Sequence, residues 1–147
     1  MGDRSPRGGR FRRLDLAMLS AGLLLAAAGA IDTNPVLISV AGGLFLLGSS
    51  TFVVIRGLET FTGEAIREDE EIYQDTGWLI GKLENVLVFV LVIFGEWTAL
   101  SIVFAAKSFV RREDISSGNT TYYLAGTLLN FTYSVVVALL VVGMLGR

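Results

Sequence analysis

The stretch that decides the fold is Pro35 to Ile55, PVLISVAGGLFLLGSSTFVVI, which contains no charged residue. A helix needs about 20 mostly apolar residues to cross about 30 Å of hydrocarbon, so this stretch is predicted to span a membrane. Leu14 to Ile31 is a second apolar run, with Asp15 at its edge. The polar residues 32–35 between the two runs are typical of a tight turn. Residues 14–55 are therefore predicted to form a transmembrane helical hairpin.

Three more apolar runs follow along the chain, at residues 77–94, 97–110 and 122–145. A Gly-Glu pair interrupts the sequence between the first two of these runs. The alternative is one bent helix over residues 78–110, which at about 1.5 Å per residue would be about 50 Å long, too long for one crossing. The predicted fold is an all-α polytopic transmembrane helical bundle of about five spans, with four spans as the alternative.

The composition agrees with this class of protein. Of the 147 residues, 52% are hydrophobic and 18% are charged, whereas a soluble domain has about 45–50% and about 25%. The absence of cysteine and histidine excludes thiol and imidazole catalysis and removes the commonest transition-metal ligands. The net charge of −2 gives no indication of nucleic-acid binding. We therefore predict no catalytic residue, no metal site and no cofactor, and we expect that the protein is not an enzyme.

The positions of arginine and lysine predict the orientation, because short cytoplasmic loops carry an excess of these residues. The N-terminal tail 1–13 has five arginines, the acidic connector 56–76 has two, and residues 107–120 have two arginines and one lysine. The predicted turns at 32–35 and 95–97 have none. Five spans in a cell membrane, with the N-terminus cytoplasmic and the C-terminus outside, place all of these basic residues in the cytoplasm. Residues 77–147 then form a three-helix transmembrane unit.

Polar residues within the predicted spans are costly in lipid and are candidates for function. Glu84 and Asn85 lie in the third span, and Lys107 and Arg111 lie near the cytoplasmic end of the fourth. Because these two spans run in opposite directions, Glu84 and Lys107 can form an ion pair, either as an ion or proton relay or as a structural clasp. Lys82 points away from Glu84 on the helix, and we expect it to extend to the cytoplasmic interface.

Small residues predict faces where helices pack closely. Gly77 and Gly81 are four residues apart, a spacing that allows another backbone to approach. Glu84 follows Gly77 by seven residues and shares its face, so close helix contact and the acidic side chain are predicted at one interface. A comparable stripe on the fifth span consists of Gly126, Thr127 and Asn130, in which the asparagine can hydrogen-bond to another helix.

Three sequence blocks carry a family resemblance. They are GWLIGKLEN at 77–85, AAKSFVR at 105–111 and YYLAGTLLN at 122–130. In this order they resemble the blocks G-x-x-I-G-x-L-E, A-A-K-S-x-x-R and Y-x-x-G-T-L of an uncharacterised prokaryotic family of multi-pass membrane proteins, grouped as a domain of unknown function. The resemblance covers about residues 77–132, and Asn85 departs from the arginine of the family. It implies membrane embedding and a shared three-helix unit, and it implies no reaction.

Three functions are compatible with these features. The first is a non-enzymatic structural or partner subunit, whose partners are the lipid bilayer and a second copy or another membrane subunit. The alternative is a small transporter or channel with a polar path around Glu84, Lys107 and Asn130. The third is a membrane enzyme that acts on lipid, in which Glu84 and Lys107 would have to supply the acid-base chemistry.

Overall fold

The computed structural model describes residues 7–32, 34–62, 71–113 and 120–146. This part of the chain contains five α-helices and no strand. Each predicted apolar run corresponds to one helix, so the prediction of five helices is confirmed, whereas the alternative of one bent helix over 78–110 is wrong. The helices are α1 (Arg7–Asp32), α2 (Pro35–Thr62), α3 (Glu71–Ile93), α4 (Trp97–Glu113) and α5 (Thr120–Met144).

Asn34 begins α2 as its N-cap residue. Its side-chain oxygen Oδ1 accepts hydrogen bonds from the backbone N–H groups of Val36, at 3.0 Å, and Leu37, at 3.4 Å. These two donors have no acceptor within the first turn of a helix, so the asparagine satisfies them. Pro35 occupies the first helical position, where its missing N–H group costs nothing. Asn34 and Pro35, the last two residues of the predicted polar turn, thus explain why α2 begins where it does.

Gly95 ends α3 and separates it from α4. Its φ angle of +71° is one that residues with a Cβ atom rarely adopt. The N–H of Gly95 donates to the carbonyl oxygen of Val92 at 3.0 Å, and the N–H of Glu96 donates to that of Leu91 at 2.8 Å. This is the hydrogen-bond pattern of a Schellman C-cap, and it explains why residues 78–110 form two helices and not the single long helix of the alternative.

The connector predicted at 56–76 is helical at both of its ends. Helix α2 continues to Thr62, and α3 already begins at Glu71. Helix α1 likewise begins at Arg7, within the predicted tail. Arginine and glutamate are good helix formers, so a helix continues through them beyond its apolar run. Residues 63–70 of the connector lie outside the described part of the chain.

Helices that follow one another in the sequence alternate in direction, so α3 and α5 are parallel. Helix α1 packs against α2, both α2 and α3 pack against α5, and α3 also contacts α2 and α4. In α2 and α5, Leu58 lies near Gly126 at one end and Val141 lies near Gly42 at the other, so these two helices are antiparallel. The largest apolar core lies between α2, α3, α4 and α5, and its buried members are Leu46, Val88, Phe89, Val92, Leu100, Val137, Ala138 and Val141.

Glycines bring the backbones of α1 and α2 into direct contact. A Cβ atom on Gly22 would lie 2.7 Å from the backbone nitrogen of Phe45, and one on Gly48 would lie 2.7 Å from the carbonyl oxygen of Asp15. Gly29 approaches Ile38 in the same way, with a distance of 3.2 Å to a side-chain carbon. The glycines that allow direct contact between two helix backbones are therefore in the hairpin.

We predict that Gly22→Ala destabilises the fold, because its new methyl group would meet backbone atoms that cannot move separately. Overpacking of this kind costs about 1–3 kcal/mol. Gly143→Ala is the matched control, since nothing among the described residues lies within 4 Å of a Cβ atom there. Thermal unfolding in detergent followed by circular dichroism measures both variants. Equal melting temperatures for the two variants would contradict the close contact between α1 and α2.

Candidate functional site

The chain has two lysines, Lys82 and Lys107, and each forms an ion pair with a carboxylate on another helix. Lys82 of α3 pairs with Asp15 of α1, and Lys107 of α4 pairs with Glu84 of α3. Every other basic residue of the chain is an arginine. A lysine carries its charge as a compact ammonium group on a flexible stem.

The pair between Asp15 and Lys82 is buried. Nζ of Lys82 lies 3.0 Å from Oδ1 of Asp15, and the two side chains are 9% and 13% exposed. Lys82 Nζ also donates to Ser50 Oγ at 3.1 Å and to the carbonyl oxygen of Leu47. An ammonium group has three protons, and the carbonyl oxygen of Leu47 and the hydroxyl of Ser50 accept two of them. Oδ1 of Asp15 makes an ion-pair contact without regular hydrogen-bond geometry, so the charge is buried with a group of opposite sign, as burial requires.

Trp78 covers this buried pair. Its ring centroid lies 5.6 Å from Lys82 Nζ, within the range of a cation–π interaction. Its indole nitrogen Nε1 lies 3.5 Å from Oδ2 of Asp15, at the long limit for a hydrogen bond. Because Trp78 and Lys82 are four residues apart on α3, they project from the same face of the helix. The arrangement joins α1, α2 and α3 at one point.

The second pair is the one expected from the sequence. Lys107 donates to Oε2 of Glu84, and the two side chains are 20% and 29% exposed. This pair connects α4 to α3 and is less buried than the pair between Asp15 and Lys82. The structure thus brings Glu84 and Lys107 of two successive helices into contact, as the sequence allowed.

Asn85 forms a third polar connection, from α3 to α5. It is 1% exposed, and its Oδ1 accepts a hydrogen bond of 2.8 Å from Ser134 Oγ. The same hydroxyl lies 2.8 Å from the carbonyl oxygen of Asn130. A buried hydrogen bond of this kind specifies the register of two helices, because displacement of either helix would leave both groups unpaired.

One turn of α3 therefore connects this helix to all of the others. Successive residues of a helix are rotated by about 100°, so Lys82, Glu84 and Asn85 point in three directions. Lys82 contacts α1 and α2, Glu84 contacts α4, and Asn85 contacts α5. We call these three residues the α3 hub.

The remaining predicted polar residues lie around this hub. Asn130 borders a small cavity together with Glu84, Asn85 and Lys107, so the structure brings these four together. Thr127 is half-buried on α5, one turn before Asn130. Arg111 belongs to the last turn of α4, and its side chain lies outside the described part of the chain.

The predicted glycine contacts are only partly present. Nothing among the described residues lies within 4 Å of a Cβ atom built on Gly77 or Gly81, so the close contact predicted at these positions does not occur within the described chain. Gly126 does pack, with Leu58 Cδ1 3.4 Å from such an atom. The face shared by Gly77, Gly81 and Glu84 instead remains open beside the second ion pair.

The sequence reasoning missed Asp15 and misjudged Lys82. Lys82 was expected to extend to the interface, but it is 7% exposed and turns into the bundle. A signal for Asp15 was available, since Asp15, Gly22 and Gly29 are spaced by seven residues, which places them on one helix face. That face is the one that packs against α2. An aspartate on this face points into the bundle and therefore needs a cation beside it.

Comparison with known proteins adds no assignment: a scan against protein-family models, a search of curated proteins and a search of solved structures each found no match. The resemblance of the three sequence blocks therefore stays a prediction. Within the described residues, no group of three or more aspartate, glutamate, histidine or cysteine residues is placed to hold a metal ion.

We predict that Asp15→Leu and Lys82→Met each destabilise the protein by about 3–5 kcal/mol, because each leaves a buried charge without its partner. The double variant should be more stable than either single variant, since it buries no charge. Unfolding by increasing sodium dodecyl sulfate in mixed micelles measures all three. If the free energy of unfolding fell in the double variant by the sum of the decreases in the single variants, the two side chains would not be paired.

The pair between Glu84 and Lys107 provides the matched comparison. Glu84→Ala and Lys107→Ala should each lower the folded yield, and the double variant should recover part of it. The coupling free energy between Glu84 and Lys107 should be smaller than that between Asp15 and Lys82, because Glu84 and Lys107 are the more exposed pair. The opposite order of coupling would show that burial does not determine the strength of these pairs.

Proposed function

We propose that this chain is a multi-pass integral protein of the cell membrane with five spans, and that it acts as a non-enzymatic structural or partner subunit. The observation that carries the proposal is the distribution of polarity in the bundle. The charged and amide side chains of Asp15, Lys82, Glu84, Asn85 and Lys107 face the interior, where each contacts a polar group on another helix, while large apolar side chains point outward. In water this distribution would be unfavourable, because apolar surface would be exposed and charge would be desolvated.

The exposure of the most apolar helices supports membrane insertion. Residues Pro35–Thr60 of α2 and Ala125–Met144 of α5 are long and apolar enough to cross a membrane, each with a mean hydropathy of 2.0. The core helix of a soluble protein can have the same composition, but such a helix is mostly buried. Here 28% and 22% of the most apolar windows are buried within the bundle. Most of their apolar surface therefore needs another apolar environment, which a lipid bilayer supplies.

Large apolar residues are exposed on every helix. Each helix has at least one that is 60% exposed or more, and examples in the order α1 to α5 are Leu24, Phe52, Leu83, Ile102 and Leu140. Single exposed apolar residues are normal in soluble proteins, but here all five described helices present large apolar side chains on the exterior of the bundle. Such an exterior favours five spans over a bundle with two inserted helices.

Under this proposal, α1, α3 and α4 also cross the membrane, because their charged residues pair with residues on neighbouring helices. These three helices are less apolar because they contain four charged residues, but the four charges are neutralised in pairs. They belong to Asp15, Lys82, Glu84 and Lys107. Paired charges that face the interior of a bundle are the form in which membrane helices carry ionisable residues. Helix α4, with 17 residues, is about 26 Å long, which is short for a span but within the range that bilayers accommodate.

A structural or partner role fits the hub better than transport does. Each side chain of the α3 hub contacts another helix, and the cavity beside them measures about 20 Å³, close to the space of one water molecule. The grouping of Glu84, Lys107 and Asn130 is the observation that favours the alternative of a small transporter or channel. A cavity of this size favours the structural role over a continuous path.

The proposed topology predicts which positions react with a membrane-impermeant thiol reagent. The chain contains no cysteine, so single substitutions need no altered background. With a cytoplasmic N-terminus, Asn34→Cys and Glu96→Cys should be labelled from outside intact cells, whereas Ser5→Cys and Ser117→Cys should require lysis. Labelling of Asn34 and Glu96 on opposite sides of the membrane would contradict five spans.

The same approach tests the subunit role. The open face of α3 at Gly77 and Gly81 is the surface that we assign to a second copy or another membrane subunit. Gly81→Cys should give disulfide-linked or partner-linked products on oxidation in native membranes, and Gly143→Cys, equally open within the chain, is the control. Monomer alone for Gly81→Cys would contradict the assignment of this face.

A further inference from the structure

A small cavity lies between α3, α4 and α5, next to the α3 hub. Its volume is about 20 Å³, and a water molecule needs at least about 10–15 Å³ of such space. The wall is almost wholly apolar, and residues with polar side chains from all three helices form a small part of it. The residues that matter for its chemistry are Glu84, Asn85, Val103, Lys107 and Asn130.

The amide of Asn85 is the unusual part of this wall. The side chain is almost completely buried, and its Oδ1 accepts a hydrogen bond from Ser134. Its nitrogen Nδ2 has no hydrogen-bond partner among the described residues. Buried polar groups of proteins are nearly always hydrogen-bonded, so an unpaired amide that borders a cavity indicates a ligand there.

The chemistry of the ligand follows from the two orientations that this amide can take. In the orientation just described, the amide presents a donor without a partner. In the reverse orientation, Nδ2 would donate to Ser134 Oγ, the hydroxyl would donate to the carbonyl oxygen of Asn130, and Oδ1 would need a donor instead. A ligand that can both donate and accept satisfies either orientation, whereas a simple anion or cation satisfies only one.

We propose that this cavity is a binding site for one water molecule, which bridges the amide of Asn85 to the ion pair of Glu84 and Lys107. Water has the size of the cavity, and it can accept from an amide while it donates to a carboxylate. The ion pair is neutral overall, so it gives no preference for a free ion over water. The inference depends on the fold alone and does not require the proposed membrane topology.

The bound water completes a network across three helices. It extends from Lys107 on α4 through Glu84 and Asn85 on α3 to Ser134 on α5. The ring contact between Phe104 and Phe131, with centroids 4.7 Å apart, joins α4 and α5 beside this network. The water therefore contributes to the position of α4, the helix with the least extensive packing in the described bundle.

Filling the cavity tests the proposal through the sign of a stability change. Val103→Ile adds one methylene at the wall, which displaces the water and leaves Asn85 unpaired. We expect the melting temperature to fall by roughly 3–8 °C. In the Asn85→Ala background no amide needs the water, so the same substitution should raise the melting temperature. A rise in the unmodified protein, or an equal fall in both backgrounds, would overturn the proposal.

A direct measurement keeps the test independent of these variants. Asparagine labelled with ¹⁵N at Nδ2 gives four side-chain amide signals in this chain, and the Asn85→Ala variant assigns that of Asn85. In water-edited solid-state NMR, magnetisation should transfer from water to the Asn85 amide as fast as to exposed asparagines. The buried backbone amide of Val88 is the slow control. Transfer to Asn85 as slow as to Val88 would show that no water occupies the site.

Discussion

The ammonium group of Lys82 is the constraint on which the arrangement of the helices depends. It is a charge inside a bundle, and it is tolerated because Asp15 supplies the opposite charge and both Ser50 and the carbonyl oxygen of Leu47 accept hydrogen bonds from it. Helix α1 packs along α2 and contributes nothing to the largest apolar core. The pair between Asp15 and Lys82 is therefore what ties α1 to α3, whereas α2 also reaches α3 and α5 through the apolar core. If this pair were lost, α1 would keep its glycine contacts with α2 but lose its ionic contact with α3.

Polar and apolar residues occupy different ends of the bundle. The hub residues precede Val88 and Val92 on α3, and Ser134 precedes Val137 and Val141 on α5. On the oppositely directed helices the order is reversed, with Leu46 before Ser50 on α2 and Leu100 before Lys107 on α4. One end of the interior thus holds the ion pairs and amide contacts, and the other end is apolar. Under the proposed topology the polar end is the cytoplasmic one, where the arginines of the chain are also concentrated.

The sequence allowed the helices to be located because each apolar run is bounded by residues with a local structural effect. Asn34 and Pro35 begin α2, and Gly95 ends α3, through hydrogen bonds within a few residues of each position. The pair of Glu84 and Lys107 was also predictable. A single turn joins α3 and α4, so the distance of each residue from the turn determines which residues of the two helices lie side by side.

The other pair could not be predicted in the same way. The contact between Asp15 and Lys82 joins helices that are distant in sequence, and a lysine stem reaches either the interface or a partner inside the bundle. Which of these occurs depends on how α1 and α2 pack against α3. The spacing of Gly77 and Gly81 led to a wrong prediction of close helix contact within the chain. Such a spacing permits close packing but does not specify the partner helix. The contacts of Gly22 and Gly48 show that the approach occurs in the hairpin instead.

The most direct test of this account is a distance measurement on the two lysines in lipid bilayers. Because the chain has only Lys82 and Lys107, ¹⁵Nζ-labelled lysine gives two signals, and ¹³C-labelled aspartate and glutamate carboxylates supply the partners. Rotational-echo dipolar dephasing should place a carboxylate carbon within about 4 Å of both ammonium nitrogens. Asp15→Asn should remove the dephasing of the Lys82 signal and leave that of Lys107. A Lys82 signal without carboxylate dephasing in the unmodified protein would contradict the buried pair.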